Sequence, residues 1–245
     1  MALKKIPSPV AIVTGAGSGV GRATVLKFAR EGWHVALIGR RSDALAETIA
    51  QAPAGARTRL AALPCDLGQP QTIDETARDV LQRFERIDVL VNAAGNNVPQ
   101  RSLLELARAD YYAIMDANVN GVFHFVQAVL PSMRKQGSGL VVNIGSEAGR
   151  LASAKAGAAY VVSKFGLTGL TQTINAEERA NGIRACCIFP GDINTPLLEK
   201  RPAPPSADAR TRMMQPEDVA ECVWFVATLP ERVTVEELLV RPTRP

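Results

Sequence analysis

The segment VAIVTGAGSGVGRATVLKFAREG, residues 10–32, decides the fold of this chain. It opens with a short continuous apolar run, passes through a glycine-rich turn and then places apolar residues at helical spacing up to Gly32. A continuous apolar run is typical of a strand that is buried on both faces of a parallel sheet. A glycine after a run of helical periodicity marks the end of a helix. The segment therefore predicts a strand, a glycine turn and a helix, which is the setting of a phosphate-binding loop.

The glycine turn, residues 14–21, predicts a binding site for the pyrophosphate of a nucleotide. Glycines let the backbone turn sharply and approach a ligand, while the helix N-terminus offers unpaired N–H groups and a partial positive charge. Glycine-rich turns also occur in sheets that bind no ligand, so the turn alone leaves this alternative open. The candidate contacts in the turn are Gly15, Ser18, Gly19, Val20 and Gly21.

The residues after the second predicted strand, residues 35–38, indicate which nucleotide would bind. An acidic residue at this place accepts hydrogen bonds from a ribose 2′-hydroxyl, whereas an arginine accommodates a 2′-phosphate. The sequence has Arg40 and Arg41 here, and its first carboxylate, Asp43, suits the cap of the following helix. We therefore expect NADP(H) and not NAD(H). The alternative is that both arginines only solvate a loop.

Apolar strands and amphipathic helices continue to alternate along the chain, which predicts an α/β fold. The later predicted strands are residues 58–63, 87–91, 140–144, 183–189 and 237–240. Ligands of open α/β sheets bind at the carboxyl ends of the strands. Asp66 follows one strand and either contacts an adenine or caps a turn. The small residues of the segment Asn92, Ala93, Ala94 and Gly95 follow another strand and let the backbone lie close to a flat ligand.

Two polar patterns lie within predicted helices. Residues 110–136 predict one long helix, and Asn118 falls inside its apolar stripe, either as a structural brace or as part of a site. Tyr160 and Lys164 are four residues apart in a helix predicted from residue 158 to about residue 180, so their side chains share one face. A nearby cation favours a phenolate, which would make the phenol a usable acid or base. An exposed i,i+4 pair without chemistry is the alternative.

Composition places the chain among ordinary globular proteins. Its 245 residues are 47% hydrophobic and 21% charged, with a formal net charge of +4 and no long run of like charges, so we expect no nucleic-acid partner. The four cysteines and two histidines show no metal-ligand spacing, and we expect reduced thiols and no metal site. Neither a signal segment nor a membrane-spanning stretch is predicted, so a cytoplasmic location is expected.

These patterns together resemble the classical short-chain dehydrogenase/reductase family, from residue 10 to about residue 242. The glycine turn matches the cofactor loop of that family, and residues 92–95 match its Asn-Asn-Ala-Gly segment with one substitution. Asn118, Ser146, Tyr160 and Lys164 match its catalytic tetrad. The resemblance implies a single Rossmann-type α/β domain over residues 1–245, doubly wound, with a seven-stranded parallel sheet flanked by helices. It also implies a homodimer or homotetramer.

The resemblance implies a role for each matched residue. Tyr160 would give a proton to a carbonyl oxygen, or take one from an alcohol, as hydride moves from or to the nicotinamide. Lys164 would hold the ribose hydroxyls and lower the pKa of Tyr160, Ser146 would bind the substrate oxygen, and Asn118 would hold a water of a proton relay. The nicotinamide side of the cofactor would meet a loop after the sixth strand, with the candidate contacts Pro190, Gly191, Ile193 and Thr195.

Substrate selection is less marked in the sequence. The candidate substrate contacts are Ser146, Glu147, Asn97 and Asp192. Glu147 either adds a charge to the pocket or points to solvent. Residues 192–215 include a stretch rich in Pro, Ala and Arg that predicts a mobile lid. The chain end lacks the glycine pair common in 3-oxoacyl reductases of this family and resembles dehydrogenases of serine and other 3-hydroxy acids. A 3-oxoacyl reductase and a non-catalytic NADP(H)-sensing protein remain alternatives.

Overall fold

Seven strands form one parallel sheet in the computed structural model, which describes residues 8–244. The strands are β1 (Val10–Thr14), β2 (His34–Gly39), β3 (Leu60–Pro64), β4 (Val89–Asn92), β5 (Gly139–Ile144), β6 (Ile183–Pro190) and β7 (Glu237–Val240). The helices are α1 (Gly19–Arg30), α2 (Ser42–Gln51), α3 (Pro70–Phe84), α4 (Arg108–Met115), α5 (Gly121–Gln136), α6 (Ala158–Glu178), α7 (Ala207–Thr211) and α8 (Pro216–Thr228). Residues 1–7 lie outside the described range 8–244. They belong to the N-terminal stretch for which the sequence predicts no signal segment.

The strand order β3-β2-β1-β4-β5-β6-β7 places the first strand in the middle of the sheet. From β1 the chain winds outward to β3, then crosses to the other side of β1 and winds outward to β7. β1 pairs in parallel with β2 on one side and with β4 on the other. Because the chain first winds from β1 toward β3 and later from β4 toward β7, the winding direction reverses between β1 and β4. In open α/β sheets this reversal opens a crevice at the carboxyl ends of the strands, where ligands bind. The Rossmann-type, doubly wound fold expected from the sequence is confirmed.

Side chains alternate between the two faces of each strand, which produces two hydrophobic cores. Ala11 and Val13 of β1 pack into one core with α1 and α8, where Phe28, Trp33 and Trp224 meet edge to face. Val10 and Ile12 face the other core with α3, α5 and α6. Because β1 is buried throughout, its sequence shows a continuous apolar run and no alternation.

The helix predicted over residues 110–136 is present as a continuous helical stretch, but a π-helical turn that was not predicted interrupts its α-helical geometry. The structure has α4, then a π-helical turn at Asp116–Asn120, then α5. The wider turn contains the buried Asn118, whose amide bonds to groups outside the helix. Local π-helical turns are often found at functional sites. The sequence pattern does not reveal such a turn, because apolar residues recur at helical spacing both before and after it.

Two smaller differences concern residues 58–63 and the predicted lid. A 3-10 turn covers Ala54–Arg59, so β3 begins only at Leu60. The stretch from Pro196 onward contains a 3-10 turn up to Lys200 and the short helix α7. Its ends are joined, because Met214 donates its N–H to the Asp192 carbonyl at 3.1 Å and Asn194 donates to the Met214 carbonyl at 2.8 Å. Within residues 8–244 no helix is long and apolar enough to cross a membrane.

Candidate active site

A continuous cleft crosses the carboxyl ends of the strands and consists of three cavities of about 220, 190 and 200 Å³. The first lies over β2, and the second follows the glycine turn. The first two cavities share Gly15, Ser18, Ala94 and Gly95 as lining residues. The second and third cavities share Ser146 and Tyr160. The cleft therefore joins a nucleotide-sized groove to a smaller pocket at the predicted catalytic residues.

The glycine turn forms the floor of the groove because its backbone is packed too closely for side chains. Gly15 has φ +66°, and a Cβ built on it would lie 2.8 Å from the Ala94 backbone. A Cβ on Gly21 would lie 2.3 Å from the Gly15 carbonyl oxygen. Ser18 precedes α1 without a side-chain cap, and the first turn of α1 has no acidic residue. The positive helix N-terminus is thus left open toward the cleft.

Arg22 holds this turn from behind. Its guanidinium donates to the Gly17 carbonyl at 2.6 Å and to both oxygens of Glu47 at 3.0 and 2.9 Å. Thr48 extends the brace, accepting from Arg22 Nε and donating to the Ala16 carbonyl at 3.0 Å. The charge of Arg22 is therefore committed to Glu47. Sequence reasoning missed this arginine, since its partner is 25 residues away in α2.

Arg40, Arg41 and Asp66 lie at the outer end of the first cavity. Both arginines are exposed, and neither forms a side-chain hydrogen bond or ion pair with any residue of the described range 8–244. Two free guanidinium groups at one end of the groove suit an anionic group there. Asp66 accepts a hydrogen bond from the Gly68 N–H at 3.1 Å and also lines the cavity, so it caps a turn beside the groove.

The residues that follow β4 have two roles: some line the second cavity, and others hold the loop in place. Ala93, Ala94 and Gly95 line the second cavity. Asn92 does not line any of the three cavities, because its amide donates at 2.9 Å to Asn143, which itself donates to Thr171 at 2.9 Å. The loop position is held by another residue that sequence reasoning left out of the site, Thr14, whose hydroxyl accepts the N–H groups of Ala93 and Ala94, each at 3.1 Å.

Asn118 links the loop after β4 to α6 below the cleft. Its amide nitrogen donates to the Asn96 carbonyl at 3.0 Å and to Ser163 Oγ at 3.1 Å, and its oxygen accepts the Asn96 N–H at 2.7 Å. The Ser163 hydroxyl in turn donates to the Tyr160 carbonyl at 2.8 Å. The side chain of Asn118 is fully buried. One amide N–H therefore braces the loop after β4, and the other braces the helix that carries Tyr160.

Ser146, Tyr160 and Lys164 meet in the second cavity. Lys164 is buried, donates from Nζ to the Ile144 carbonyl at 2.8 Å and lies 5.5 Å from the centroid of the Tyr160 ring. Ser146 precedes a 3-10 turn, and its Oγ accepts the Ala148 N–H at 3.2 Å. These contacts position a hydroxyl, a phenol and an ammonium around one space, as the spacing of Tyr160 and Lys164 predicts.

The expected lowering of the Tyr160 pKa by Lys164 is not found in this structure. Burial raises the pKa of Tyr160, while hydrogen bonding with Ser146 and the charges of Arg201 and Arg101 act in the opposite direction. Burial also lowers the pKa of Lys164 to about 8. The sequence-based expectation considered charge alone, and desolvation of both groups outweighs it here.

The remaining candidate substrate residues surround the third cavity. Asn97 is buried, and its amide donates to the Ala156 carbonyl at 3.0 Å. Glu147 lines the cavity, but its carboxylate is paired with Arg241 near the chain end. The Asp192 carboxylate accepts hydrogen bonds from Lys155 at 2.8 Å and from another arginine at 2.5 Å. Both carboxylates are thus already neutralised by cations.

Two arginines in the wall of the third cavity were not predicted from the sequence. Arg101 is 7% exposed, and Arg201, which is the second partner of Asp192, has a 19% exposed side chain. The only signal for Arg101 is a basic residue in a polar segment after β4. Its position beside Tyr160 depends on a contact with the start of α6, where the Ala158 N–H donates to the Arg101 carbonyl at 3.2 Å. Among residues 8–244, no His, Cys, Asp and Glu cluster could hold a metal ion.

Comparison with known proteins decides the family. The family model described as short chain dehydrogenase matches residues 9–205. This chain belongs to the short-chain dehydrogenase family. It is accordingly an oxidoreductase of the dehydrogenase/reductase type. Sulfoacetaldehyde reductase 2 of Chromohalobacter salexigens, a curated relative, is 32% identical over 243 residues, which cover 97% of this chain and 95% of the relative.

Solved structures of two other dehydrogenases agree with the fold over nearly the whole chain. A serine dehydrogenase in its closed form with NADP⁺ superimposes with a TM-score of 0.86 at 27% identity, covering 94% of each chain. An alcohol dehydrogenase of the archaeon Thermococcus sibiricus with 5-hydroxy-NADP has a TM-score of 0.85 at 28% identity, covering 97% of this chain and 99% of its own. Both of these neighbours carry a nicotinamide cofactor of the phosphorylated type.

Proposed function

We propose that this short-chain dehydrogenase is an NADP(H)-dependent oxidoreductase that interconverts a small carbonyl compound and its secondary or primary alcohol. The observation that carries the proposal is the joint position of Ser146, Tyr160 and Lys164 in one cavity with the glycine turn. A hydroxyl donor, a proton-carrying phenol and a buried ammonium are the groups that stabilise and protonate an oxygen as charge develops on it.

The cleft has the features that a dinucleotide needs. The close packing of Gly15 and Gly21 leaves backbone instead of side chains on the groove floor, and the open N-terminus of α1 suits a pyrophosphate. At the outer end, Arg40 and Arg41 suit a ribose 2′-phosphate. The structural neighbours that are complexes with NADP or a derivative support this assignment. Thr195 and Ile193 line the inner part of the groove, where we place the nicotinamide.

The chain's own residues would carry the proton chemistry, whereas the bound nicotinamide supplies or accepts the hydride. In the reducing direction Tyr160 would give its proton to the carbonyl oxygen as the carbon is reduced, and in the oxidising direction it would take the proton of the alcohol. The raised pKa keeps the phenol protonated near neutrality, so Tyr160 is available as an acid. Ser146 would donate a hydrogen bond to the same oxygen, and the charges of Arg201 and Arg101, which act to lower the pKa of Tyr160, would favour loss of the phenolic proton.

Asn118 contributes mainly by positioning. Its amide donors are taken by Asn96 and Ser163, and the Ser163 bond fixes the backbone of Tyr160. A water relay through Asn118 stays a prediction, with one lone pair of the amide oxygen as an acceptor.

A small substrate fits better than a long acyl chain. The third cavity measures about 200 Å³, which is below the ~300–1,000 Å³ of pockets for drug-sized ligands. The relatives named for sulfoacetaldehyde and for serine act on small molecules. We place the substrate lid at residues 192–215, because the stretch covers this cavity and its two ends are joined at Met214. A sensor without catalysis is disfavoured, since it has no use for Ser146 and Tyr160 together.

We further propose a homo-oligomer and a cytoplasmic location. Apolar side chains are exposed on neighbouring helices α4, α5 and α6: Tyr112, Phe123, Val162 and Phe165 are 63%, 43%, 47% and 44% exposed. Helices α4 and α6 pack against each other, and exposed apolar side chains grouped on neighbouring helices suit a protein contact. The location is expected from the sequence alone, and fractionation of the source cells would test it.

Oxidation of NADPH by the purified protein with a panel of aldehydes, ketones and oxo acids tests the activity. We expect turnover with NADPH that Tyr160→Phe lowers by at least about 100-fold while the NADPH Kd changes little. Tyr112→Phe, on the exposed face of α4, is the matched control and should keep full activity. Full activity of Tyr160→Phe would exclude the proposed mechanism. Tight NADPH binding without turnover of any carbonyl would favour the sensor.

A further inference from the structure

The wall of the third cavity carries excess positive charge. Its charged lining residues are Arg101, Glu147, Lys155, Asp192 and Arg201. The Glu147 carboxylate is paired with Arg241, which does not line this cavity. The single carboxylate of Asp192 forms ion pairs with both Lys155 and Arg201. The cations next to Tyr160 therefore outnumber the carboxylates that remain to neutralise them.

Arg101 supplies a buried charge without a counterion. Its guanidinium donates to the carbonyls of Val98 at 2.7 Å and Lys155 at 3.4 Å, and also to the carbonyl of Lys200. It forms no ion pair within the described range 8–244. Desolvation and then the charge of Arg201 lower the pKa of Arg101. A buried cation without a partner is unfavourable, and an anion in the cavity would relieve that cost.

Arg201 has hydrogen-bond donors to spare for such an anion. A guanidinium has five N–H donors, and in residues 8–244 this one makes a single side-chain hydrogen bond, to Asp192 Oδ1 at 2.5 Å. Its side chain is partly exposed in the cavity wall. The planar fork of an arginine matches an oxyanion, to which it can donate two parallel hydrogen bonds. Arg201 could therefore contact the anion directly, whereas Arg101 would contribute a buried positive charge in the same cavity wall.

The approach to the cavity has the same sign. A wider cavity of about 660 Å³ opens outward and shares Glu147, Lys155, Asp192 and Arg201 with the inner one. It adds Arg212, Arg241 and Arg244 to the lining and no further carboxylate, while Arg212 is paired with the exposed Asp208 outside the lining and Arg241 with Glu147. Fields of one sign in a cleft raise the local concentration of oppositely charged small molecules. An anionic substrate would therefore meet favourable potential along its entry path.

We propose that the substrate is a small carbonyl compound, or the corresponding alcohol, with an oxyanion group such as a carboxylate or sulfonate that binds to Arg201. This inference rests on the proposed function, which places the reacting carbonyl at Ser146 and Tyr160. It identifies Arg201 as a specificity-determining residue. Because the amide of an oxo acid has the same shape without the charge, acid and amide pairs separate the charge from the fit.

The experiment compares 2-, 3- and 4-oxo acids (pyruvate, acetoacetate, levulinate) with their primary amides, and adds 2-oxopropanesulfonate, at saturating NADPH. We expect at least one acid or the sulfonate to exceed its uncharged counterpart in kcat/KM by about 10- to 100-fold. Acetoacetamide is the counterpart of the sulfonate. Arg201→Gln should remove most of this ratio, mainly by raising KM for the anion, and Arg201→Lys should restore part of it. Arg179→Gln, which removes a cation from an exposed ion pair with Glu236, controls for net charge.

Equal kcat/KM values for acids and amides in the wild type would overturn the anion proposal and leave the reductase intact. An unchanged ratio in folded Arg201→Gln, checked by its melting temperature and NADPH Kd, would also overturn it. If none of the compounds is turned over, their binding to the NADP⁺-loaded protein is measured by thermal shift. Stabilisation by the anions that Arg201→Gln removes would support the subsite although the reductase proposal had failed. Equal or absent shifts for anions and amides would overturn it.

Discussion

A Cβ built on Gly157 would lie 2.5 Å from the Cβ of Arg101 and 2.8 Å from its Cδ. Gly157 has φ +83° and immediately precedes α6, three residues before Tyr160. The missing side chain lets the stem of Arg101 pass under the start of the helix that carries the phenol. The charged wall of the substrate cavity and the position of Tyr160 are therefore coupled at one glycine.

Gly157→Ala should damage both stability and activity. The clash and the positive φ predict a loss of about 2–4 kcal/mol in the free energy of unfolding, measured by urea denaturation. kcat should also fall, because Tyr160 shifts with the helix start. Gly169→Ala is the control in the same helix: it is exposed with nothing within 4 Å of its Cβ position, and we expect a gain of about 0.5–1 kcal/mol. Equal effects of both variants would contradict this account.

Lys164 should make the cofactor-free protein more stable as the pH rises above 8. Its pKa is about 8 in the folded chain but about 10.4 in an unfolded one. The unfolded state thus binds more protons between these values, and the free energy of unfolding rises with pH there. Below pH 8 Lys164 is protonated in both the folded and the unfolded state, and the cost of burying its charge is fully present.

The measurement is the difference in unfolding free energy between wild type and Lys164→Met at pH 7, 8, 9 and 10, because other titrating groups cancel in it. We expect the wild type to gain on the variant by up to about 1.4 kcal/mol per pH unit across the window. A constant difference would mean that Lys164 keeps an ordinary pKa in its buried position.

Arg40→Asp should shift cofactor preference toward NADH. Loss of a charge-assisted hydrogen bond to a 2′-phosphate is expected to raise the NADPH Kd by about 10- to 100-fold. The new carboxylate could instead accept hydrogen bonds from a 2′-hydroxyl. Fluorescence titration with both cofactors measures the change, and Arg232→Asp on an exposed loop is the matched control. An unchanged NADPH Kd in Arg40→Asp would place the 2′-phosphate elsewhere.

Phe165→Asp should dissociate the proposed oligomer. A carboxylate at the centre of an apolar interface would be desolvated without a partner. Light scattering after size exclusion gives the mass of wild type and variant, and we expect a monomer for the variant. Phe225→Asp places the same change on α8, which packs on the other face of the sheet. A wild-type mass for Phe165→Asp would exclude the α4–α6 face, and a smaller mass for Phe225→Asp would identify α8 as a second interface.

The sequence predicted the elements whose cause is local. Buried strands such as β1 and β2 contain continuous apolar runs, and the glycine turn lies between a strand and a helix in the primary structure. The pairing of Tyr160 and Lys164 in one cavity follows from their i,i+4 spacing in α6. In each case the determining residues are neighbours along the chain, so no tertiary contact was needed to predict them.

Features with a long-range cause were missed. Arg101 enters the site only because α6 begins at its backbone, more than fifty residues later. The π-helical turn at Asn118 depends on hydrogen bonds to Asn96 and Ser163. The Tyr160 pKa depends on how deeply the ring is buried, which spacing cannot show. Residue types alone contain none of these contacts.

The separation of the cleft into cavities has a consequence for redesign. The cavity at Arg40 and Arg41 and the cavity at Arg101 and Arg201 share no lining residue. The crossing of Gly15 over Ala94 lies between them, where no side chain fits. Changes at distant sites without shared partners combine additively. Nucleotide preference and substrate charge should therefore be adjustable as independent modules, with a double variant showing the product of the two single effects.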